Sequence, residues 1–132
     1  NIVSNYCHMA GIKMVGIPKT IDNDTPITDA SVGFATACQV CTGALDSLEL
    51  TARSHNRALI LEVMGRDAGH LAMHAALAGF ADVCLVPEIP YKIDSIIEKL
   101  ETIKNNGRNH ALIVVSEGVK REKEEPPRRS LV

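Results

Sequence analysis

The chain has 132 residues, which leaves room for at most one domain of ordinary size. Hydrophobic residues make up 45% of it and aromatic residues only 3%, a composition typical of an aliphatic core in which helices pack on a parallel sheet. The net charge of −2 gives no electrostatic reason to expect nucleic acid or an anionic membrane as a partner. No apolar run approaches the roughly 20 residues of a membrane span.

Four cysteines include the pair Cys38-x-x-Cys41, a spacing found in redox centres and in half of a zinc site. This pair lies in an Ala-rich helical segment, and no second Cys/His pair stands at zinc spacing. We therefore expect buried thiols that act as small hydrophobic residues. Unpaired thiols are typical of a reducing compartment, so the expected location is the cytoplasm.

Apolar periodicity and glycine or proline breaks predict alternating strands and helices. In chain order these are the end of a helix at residues 1–10, a strand at 12–17, a helix at 29–52, a strand at 57–64, a helix to about 78, a strand at 82–86, a helix at 94–106 and a strand at 111–115. The chain has no initiator Met, and residues 120–132 are charge-rich. We expect a piece of a longer protein, with residues 1–119 forming the central part of a domain and 120–132 a truncated tail.

The strand-helix alternation favours an α/β fold, with an open, mostly parallel sheet and helices on both faces. In such sheets ligands bind beyond the carboxyl ends of the strands. Polar or glycine residues follow each of the four predicted strands: Lys19, Thr20, Asp22 and Asp24, then Gly65 and Arg66, then Glu88, then Ser116 and Glu117. The sequence therefore predicts that all four sets converge on one edge of a single sheet.

These residue types suit chemistry on a phosphorylated substrate. Lys19 and Arg66 are cations for phosphate, and Gly65 allows close backbone approach to a ligand. Asp22 and Asp24 have the same parity in an extended loop, so one could accept a proton while the other helps to hold Mg²⁺. A polar turn remains the alternative for this loop when it is considered alone.

Five segments together resemble the 6-phosphofructokinase family. They read Pro-Lys-Thr-Ile-Asp-Asn-Asp at 18–24, Ser-His-Asn-Arg at 54–57, Glu-Val-Met-Gly-Arg-Asp-Ala-Gly at 62–69, Val-Pro-Glu at 86–88 and Glu-Gly at 117–118. Their order and intervals also match the family, over essentially the whole chain up to the charged tail. The resemblance implies the Rossmann-like, three-layer phosphofructokinase fold in incomplete form. It also implies phosphoryl transfer to the C1 hydroxyl of fructose 6-phosphate, giving fructose 1,6-bisphosphate in glycolysis.

The resemblance implies a role for each catalytic candidate. Asp22 matches the base that takes the proton from the C1 hydroxyl, and Thr20 matches a residue beside the transferred phosphoryl group. Lys19 and Arg66 are the cations expected near that group. Asp24 matches a residue close to the metal-phosphate cluster, which implies an indirect contact with Mg²⁺.

The same resemblance assigns the substrate-binding residues. Met64, Gly65 and Arg66 match the loop that holds the sugar phosphate, and Glu117 matches the carboxylate that binds the sugar. Arg57 matches an arginine that reaches the site of a neighbouring subunit, which implies a homo-oligomer. Without the family, Arg57 reads equally well as a solvated cation at the end of a strand.

The phosphoryl donor stays open between ATP and pyrophosphate. Lysine at position 19 is typical of pyrophosphate-using members, which favours that donor slightly, although some ATP-using members carry it too. The glycine-rich segment that binds the donor is absent, so we expect the piece to be inactive alone. Glu49 stands where allosteric members carry a basic residue, which leaves nucleotide regulation in doubt. The alternative function is a non-catalytic sugar-phosphate-binding module of the same fold.

Overall fold

The computed structural model of the protein describes residues 2–122. Its elements in chain order are α1 (Ile2–Met9), β1 (Lys19–Thr20), β2 (Val32–Gly33), α2 (Phe34–His55), β3 (Ala58–Val63), α3 (His70–Ala78), β4 (Val83–Leu85), α4 (Ile93–Asn105) and β5 (Ala111–Ser116).

Strands β3, β5 and β4 form a parallel sheet in that order, with β5 at its centre. Ala58 lies opposite Ala111 in the register of β3 with β5, and Val83 lies opposite Ile113 in that of β4 with β5. Because all three strands run the same way, the loops after β3, β4 and β5 leave the sheet at the same edge. This part of the predicted convergence is confirmed.

Helices lie on both faces of this sheet, as the sequence predicts. On one face Leu112 and Val114 of β5 pack into a core with Leu45 of α2 and with Leu71 and Ala75 of α3. On the other face Leu100 and Ile103 of α4 line a cavity together with Ala58 and Ala111. Successive residues of β5 therefore point alternately towards the helices on one face and the helix on the other. This explains why the apolar run of β5 is nearly unbroken.

The strand predicted at residues 12–17 is wrong. These residues form no strand, and side chains such as Val15 (88% exposed) and Ile17 (75% exposed) face solvent. A strand needs a neighbour for its backbone donors and acceptors, and no strand of residues 2–122 lies beside this segment. Pairing begins only at Pro18, whose carbonyl accepts the N–H of Val32 (3.0 Å).

The single four-stranded sheet is consequently wrong as well. β1 and β2 form a separate two-stranded parallel pair, in which Lys19 lies opposite Val32 and Thr20 opposite Gly33. The loop that follows β1 therefore belongs to a different sheet from the loops that follow β3, β4 and β5.

The long helix begins at Phe34 rather than at residue 29. Gly33, just before it, has φ of +104°, a left-handed conformation that a helix cannot continue through and that glycine adopts without a steric penalty. The helix ends at His55, where Asn56 adopts a left-handed C-cap and donates its N–H to the Ala52 carbonyl. The bounds of α1, α3, α4, β3, β4 and β5 lie within one or two residues of the predicted ones.

The first residues of the predicted tail pair with the loop before α4. Tyr91 donates its N–H to the Lys120 carbonyl (3.1 Å), and Glu122 donates its N–H to the Tyr91 carbonyl (2.9 Å). Lys92 and Glu122 also form an exposed ion pair at 3.3 Å. The rest of the predicted tail, residues 123–132, lies outside the described residues. Among the helices that are described, none is long and apolar enough to cross a membrane.

Candidate active site

Ser31 holds the loop after β1 in place through hydrogen bonds of its hydroxyl and of its backbone N–H. Its hydroxyl donates to the Thr20 carbonyl (2.7 Å), and its N–H donates to the Asn23 side-chain oxygen (2.9 Å). Ser31 is buried, while Asn23 adopts a left-handed conformation, which asparagine tolerates better than most residues. The loop is therefore an ordered polar turn. Ser31 itself carries no signal in the sequence, because a lone serine before a helix is commonplace.

The candidate catalytic residues of this loop differ in exposure. Asp22 and Thr20 are half-buried, and the Asp22 N–H donates to the Thr20 hydroxyl oxygen (3.2 Å). Lys19 and Asp24 are exposed. Within residues 2–122 no donor is bonded to the carboxylate of Asp22 or of Asp24. Both carboxylates are thus available to a ligand, and Asp22 is the less exposed of the two.

The loop after β3 is held at its start by Glu117. Its Oε1 atom accepts the N–H groups of both Gly65 (3.3 Å) and Arg66 (2.9 Å), and its own N–H donates to the Val63 carbonyl (2.9 Å). The carboxylate that was expected to bind a sugar hydroxyl therefore also shapes the loop that was expected to bind the sugar phosphate.

The same loop is held at its end by Glu88. Its Oε1 atom accepts the Gly69 N–H at 2.8 Å. This hydrogen bond lowers the pKa of the Glu88 carboxyl below its ordinary value, with a smaller contribution from His70, while burial acts in the opposite direction. The Gly69 N–H at the start of α3 is therefore bonded to a carboxylate of the protein itself.

Two glycines let the loop after β3 approach its neighbours closely. A Cβ atom on Gly65, which has φ of +150°, would lie 2.4 Å from the Ala68 carbonyl oxygen. A Cβ atom on Gly118 would lie 1.8 Å from the Arg66 carbonyl oxygen. Arg66 has φ of +51°, a strained conformation for a side chain of its size. These close contacts therefore fix the backbone of Arg66 and, with it, the direction in which its side chain leaves the loop.

One cavity of about 590 Å³ is lined by residues from both segments. Ile21 and Gly33 line it from the β1–β2 pair, and Val63, Met64 and Leu71 line it from β3 and α3. Asp22 follows Ile21 in the sequence and Gly65 follows Met64, but neither Asp22 nor Gly65 lines the cavity. The meeting of the two polar sets therefore stays a prediction.

Arg57 lies at the other end of the sheet. It directly precedes β3, its carbonyl accepts the Ala111 N–H (3.3 Å), and its side chain is exposed. Six residues of strand separate it from Met64, a span of about 20 Å at the usual rise per residue. The structure does not bring Arg57 to the cavity of its own chain.

Ser116 belongs to the set of polar residues that the sequence predicts at the edge of the sheet. It is the last residue of β5, its side chain is fully buried, and its hydroxyl has no hydrogen-bond partner among the described residues. It lies behind Gly65, 3.2 Å from the position that a Cβ atom there would occupy. A buried hydroxyl in this position fills the space that the glycine leaves.

Residues 2–122 offer few side chains that could bind a metal ion together. No group of three or more His, Cys, Asp or Glu side chains among residues 2–122 is placed to hold a metal ion. Magnesium, however, is commonly held by one or two carboxylates together with substrate phosphates and water. The exposed carboxylate of Asp24 fits that sparse kind of donor set.

Comparison with known proteins decides the family. A sequence model described as Phosphofructokinase matches residues 1–130. The chain belongs to the phosphofructokinase family. It is 51% identical over 121 residues to the ATP-dependent 6-phosphofructokinase 1 of Synechocystis sp., covering 92% of this chain and 34% of that protein. It is also 51% identical over 113 residues to the ATP-dependent 6-phosphofructokinase of Chloroflexus aurantiacus, covering 86% and 32%.

Solved phosphofructokinase structures share the fold. The structure of phosphofructokinase from Saccharomyces cerevisiae matches with a TM-score of 0.78 and 35% identity, covering 83% of this chain and 15% of that one. A pyrophosphate-dependent phosphofructokinase from Marinobacter aquaeolei matches with a TM-score of 0.76 and 32% identity, covering 92% and 33%. The chain spans about a third of the length of the curated relatives it matches.

Proposed function

We propose that the chain forms the acceptor side of a 6-phosphofructokinase site, at which a phosphoryl group passes to the C1 hydroxyl of fructose 6-phosphate. The observation that carries the proposal is the half-buried Asp22. Its carboxylate has no hydrogen-bond donor within residues 2–122, and its sequence neighbour Ile21 lines a cavity together with Met64, the residue before Gly65. A carboxylate in that state can accept a proton from a substrate hydroxyl.

The proposed steps follow from the chemistry of the side chains. Asp22 takes the C1 hydroxyl proton as that oxygen attacks the terminal phosphorus of the donor, and the bond from phosphorus to the leaving oxygen breaks. Arg66 and Lys19, both exposed, supply positive charge to the transferring group. Thr20 orders the loop through its bond with the Asp22 N–H and, in this proposal, contacts the same group.

In this proposal the loop after β3 binds the substrate. Its N–H groups at Gly65, Arg66 and Gly69 are already bonded to Glu117 and Glu88. The loop therefore contributes the Arg66 guanidinium and the exposed Met64 (58% exposed) to the sugar phosphate. Glu117 uses Oε1 for the loop, which leaves Oε2 for a sugar hydroxyl.

Magnesium is part of the proposal, with Asp24 as its indirect protein contact. When bound, it supplies charge neutralisation on the phosphates of the donor. Asp24 would orient the metal-bound phosphates from the end of the loop that carries Asp22.

Either ATP or pyrophosphate serves as donor in this proposal. The curated relatives at 51% identity are named ATP-dependent, which supports ATP. Lys19 is the feature that supports pyrophosphate, and two of the similar solved structures are titled pyrophosphate-dependent.

We also propose a homo-oligomer in which Arg57 serves the site of a neighbouring subunit. Its place at the opposite end of β3 from Met64 supports this, since about 20 Å of strand separates the two residues. A reducing, cytoplasmic setting is supported by the four cysteines, all of which carry free thiols.

Product identification tests the function. A full-length protein that contains this segment is incubated with fructose 6-phosphate, Mg²⁺ and either ATP or pyrophosphate, and ³¹P NMR follows the phosphate at C1. Fructose 1,6-bisphosphate should form with at least one donor, and the donor that supports it is thereby identified. Binding of fructose 6-phosphate without turnover on either donor would contradict the proposal and favour the non-catalytic module.

A further inference from the structure

We propose that Glu88 is a positioning residue for the substrate loop, because its carboxylate fixes the end of residues 65–69 and so sets how Arg66 is presented. The proposal rests on the function proposed above, in which Arg66 contacts the sugar phosphate. Within residues 2–122, Glu88 forms no hydrogen bond with a cavity-lining residue or with the Asp22 loop. Its action would pass entirely through Gly69.

The contact corresponds to the second bond of a capping box, in which a carboxylate accepts the N–H of the N-cap residue itself. Gly69 precedes α3 as its N-cap residue and has no side chain with which to cap the helix. Glu88, which follows β4 after the buried Pro87, places Oε1 2.8 Å from the Gly69 nitrogen. A carboxylate at a helix N-terminus also interacts favourably with the helix dipole. The bond thus joins the start of α3 to the end of β4.

The local packing leaves little room for another partner. A Cβ atom on Gly69 would lie 2.5 Å from the Val86 Cβ atom and 2.8 Å from Glu88 Oε2, and Gly69 is buried. The backbone there is pressed against the end of β4, so losing the carboxylate would leave a buried N–H without an acceptor. The Gly69 N–H therefore depends on Glu88 as its hydrogen-bond acceptor.

The loop is consequently fixed at two points on two different strands. Glu117, after β5, binds the N–H groups of Gly65 and Arg66, and Glu88, after β4, binds that of Gly69. Arg66 lies between these points in a left-handed conformation. Releasing the Glu88 end would let the loop relax and change the direction of the Arg66 side chain while Asp22 stays in place.

The contact can be tested on this chain by amide hydrogen exchange measured with NMR. Glu88→Leu should speed exchange at Gly69 by about tenfold or more, because the buried N–H loses its acceptor. Glu88→Gln keeps a carbonyl oxygen at the same position and should restore most of the protection. Glu101→Leu is the matched control, since Glu101 is an exposed residue of α4 whose side chain bonds no other described residue. Unchanged exchange at Gly69 in Glu88→Leu would overturn the contact.

A second readout on the wild-type chain does not depend on the leucine variant folding. The Gly69 amide proton shift should follow the protonation of Glu88 as the solution is acidified, and Glu88→Gln should abolish that titration. A Gly69 shift with no acid titration in the wild-type chain would also overturn the contact.

The positioning role is tested in a full-length protein that contains this segment. Glu88→Leu should raise KM for fructose 6-phosphate by about tenfold, following the loss of one hydrogen bond, with kcat changed less than threefold. Glu88→Gln should return KM to near the wild-type value. Faster exchange at Gly69 with an unchanged KM would overturn the positioning role and leave the proposed function intact. A wild-type protein with no activity would overturn the proposed function and the positioning role together.

Discussion

Glu88 and Glu117 use the same chemistry at two places in the chain. Each carboxylate follows a strand of the three-stranded sheet and accepts backbone N–H groups from the loop after β3. Backbone donors bonded to an ionised acceptor are held more firmly than those bonded to a neutral one. Two side chains that read as ligand-binding residues in the sequence therefore also build the loop that would bind the ligand.

Glu88 gives the protein a defined acid sensitivity. The Gly69 N–H lowers the pKa of Glu88, so the folded state favours its ionised form more than the unfolded state does. A group whose pKa is depressed on folding contributes stability above its unfolded pKa, and that contribution is lost as the pH falls through the folded pKa. His70, on α3, acts in the same direction while it is charged.

We therefore expect the free energy of unfolding to fall on acidification below the ordinary glutamate pKa of about 4.3. Urea unfolding measured across this pH range should give a shallower acid dependence for Glu88→Gln than for the wild-type chain. Glu101→Gln, on the exposed face of α4, should keep the wild-type profile. Identical profiles for Glu88→Gln and the wild type would show that the Gly69 bond does not stabilise the ionised carboxylate.

At the scale of elements, glycine has opposite consequences in α2 and after β5. Gly43 lies in the middle of α2, and a Cβ atom there would meet nothing within 4 Å. Gly118 follows β5, and a Cβ atom there would lie 1.8 Å from the Arg66 carbonyl oxygen. The first glycine costs helix stability, whereas the second is required by the close approach of two loops.

Gly43→Ala should raise the free energy of unfolding by about 0.5–1 kcal/mol, the usual gain of alanine over glycine within a helix. Gly118→Ala should lower it by roughly 1–3 kcal/mol, because the Arg66 backbone has to move to admit the methyl group. Urea denaturation of the two variants beside the wild-type chain measures both changes. Shifts of the same sign in the two variants would contradict the packing described around Gly118.

Local signals account for the elements that the sequence predicted well. β3 and β5 are nearly continuous apolar runs, and α4 ends just before Gly107. The strand at residues 12–17 also has an apolar run, but it lacks a neighbour among the described strands, and pairing is not a local property. The same limit applies to the site. Glu117 and Arg66 are 51 positions apart in the sequence, and Glu88 and Gly69 are 19 positions apart. The sequence therefore predicted that these residues lie at one edge of the sheet, but it did not reveal the hydrogen bonds between them.

At the scale of the whole molecule, the candidate site joins two separate sheets. Asp22 belongs to the loop after β1, and Arg66 belongs to the loop after β3. Ile21, next to Asp22, and Met64, which precedes Gly65, line one cavity together with residues of α2. In the proposed function, proton acceptance and phosphate binding then belong to different structural units. Changing one should leave the other largely intact.

Steady-state kinetics of Asp22→Ser in a full-length protein containing this segment test this account most directly. We expect kcat to fall by two orders of magnitude or more, the usual contribution of a general base, with KM for fructose 6-phosphate changed only a few fold. Asp29→Ser is the matched control, because Asp29 is an exposed residue of the same turn that contributes only its backbone carbonyl to Asn23, and it should retain wild-type turnover. Wild-type turnover in Asp22→Ser would contradict the assignment of Asp22 as the proton acceptor.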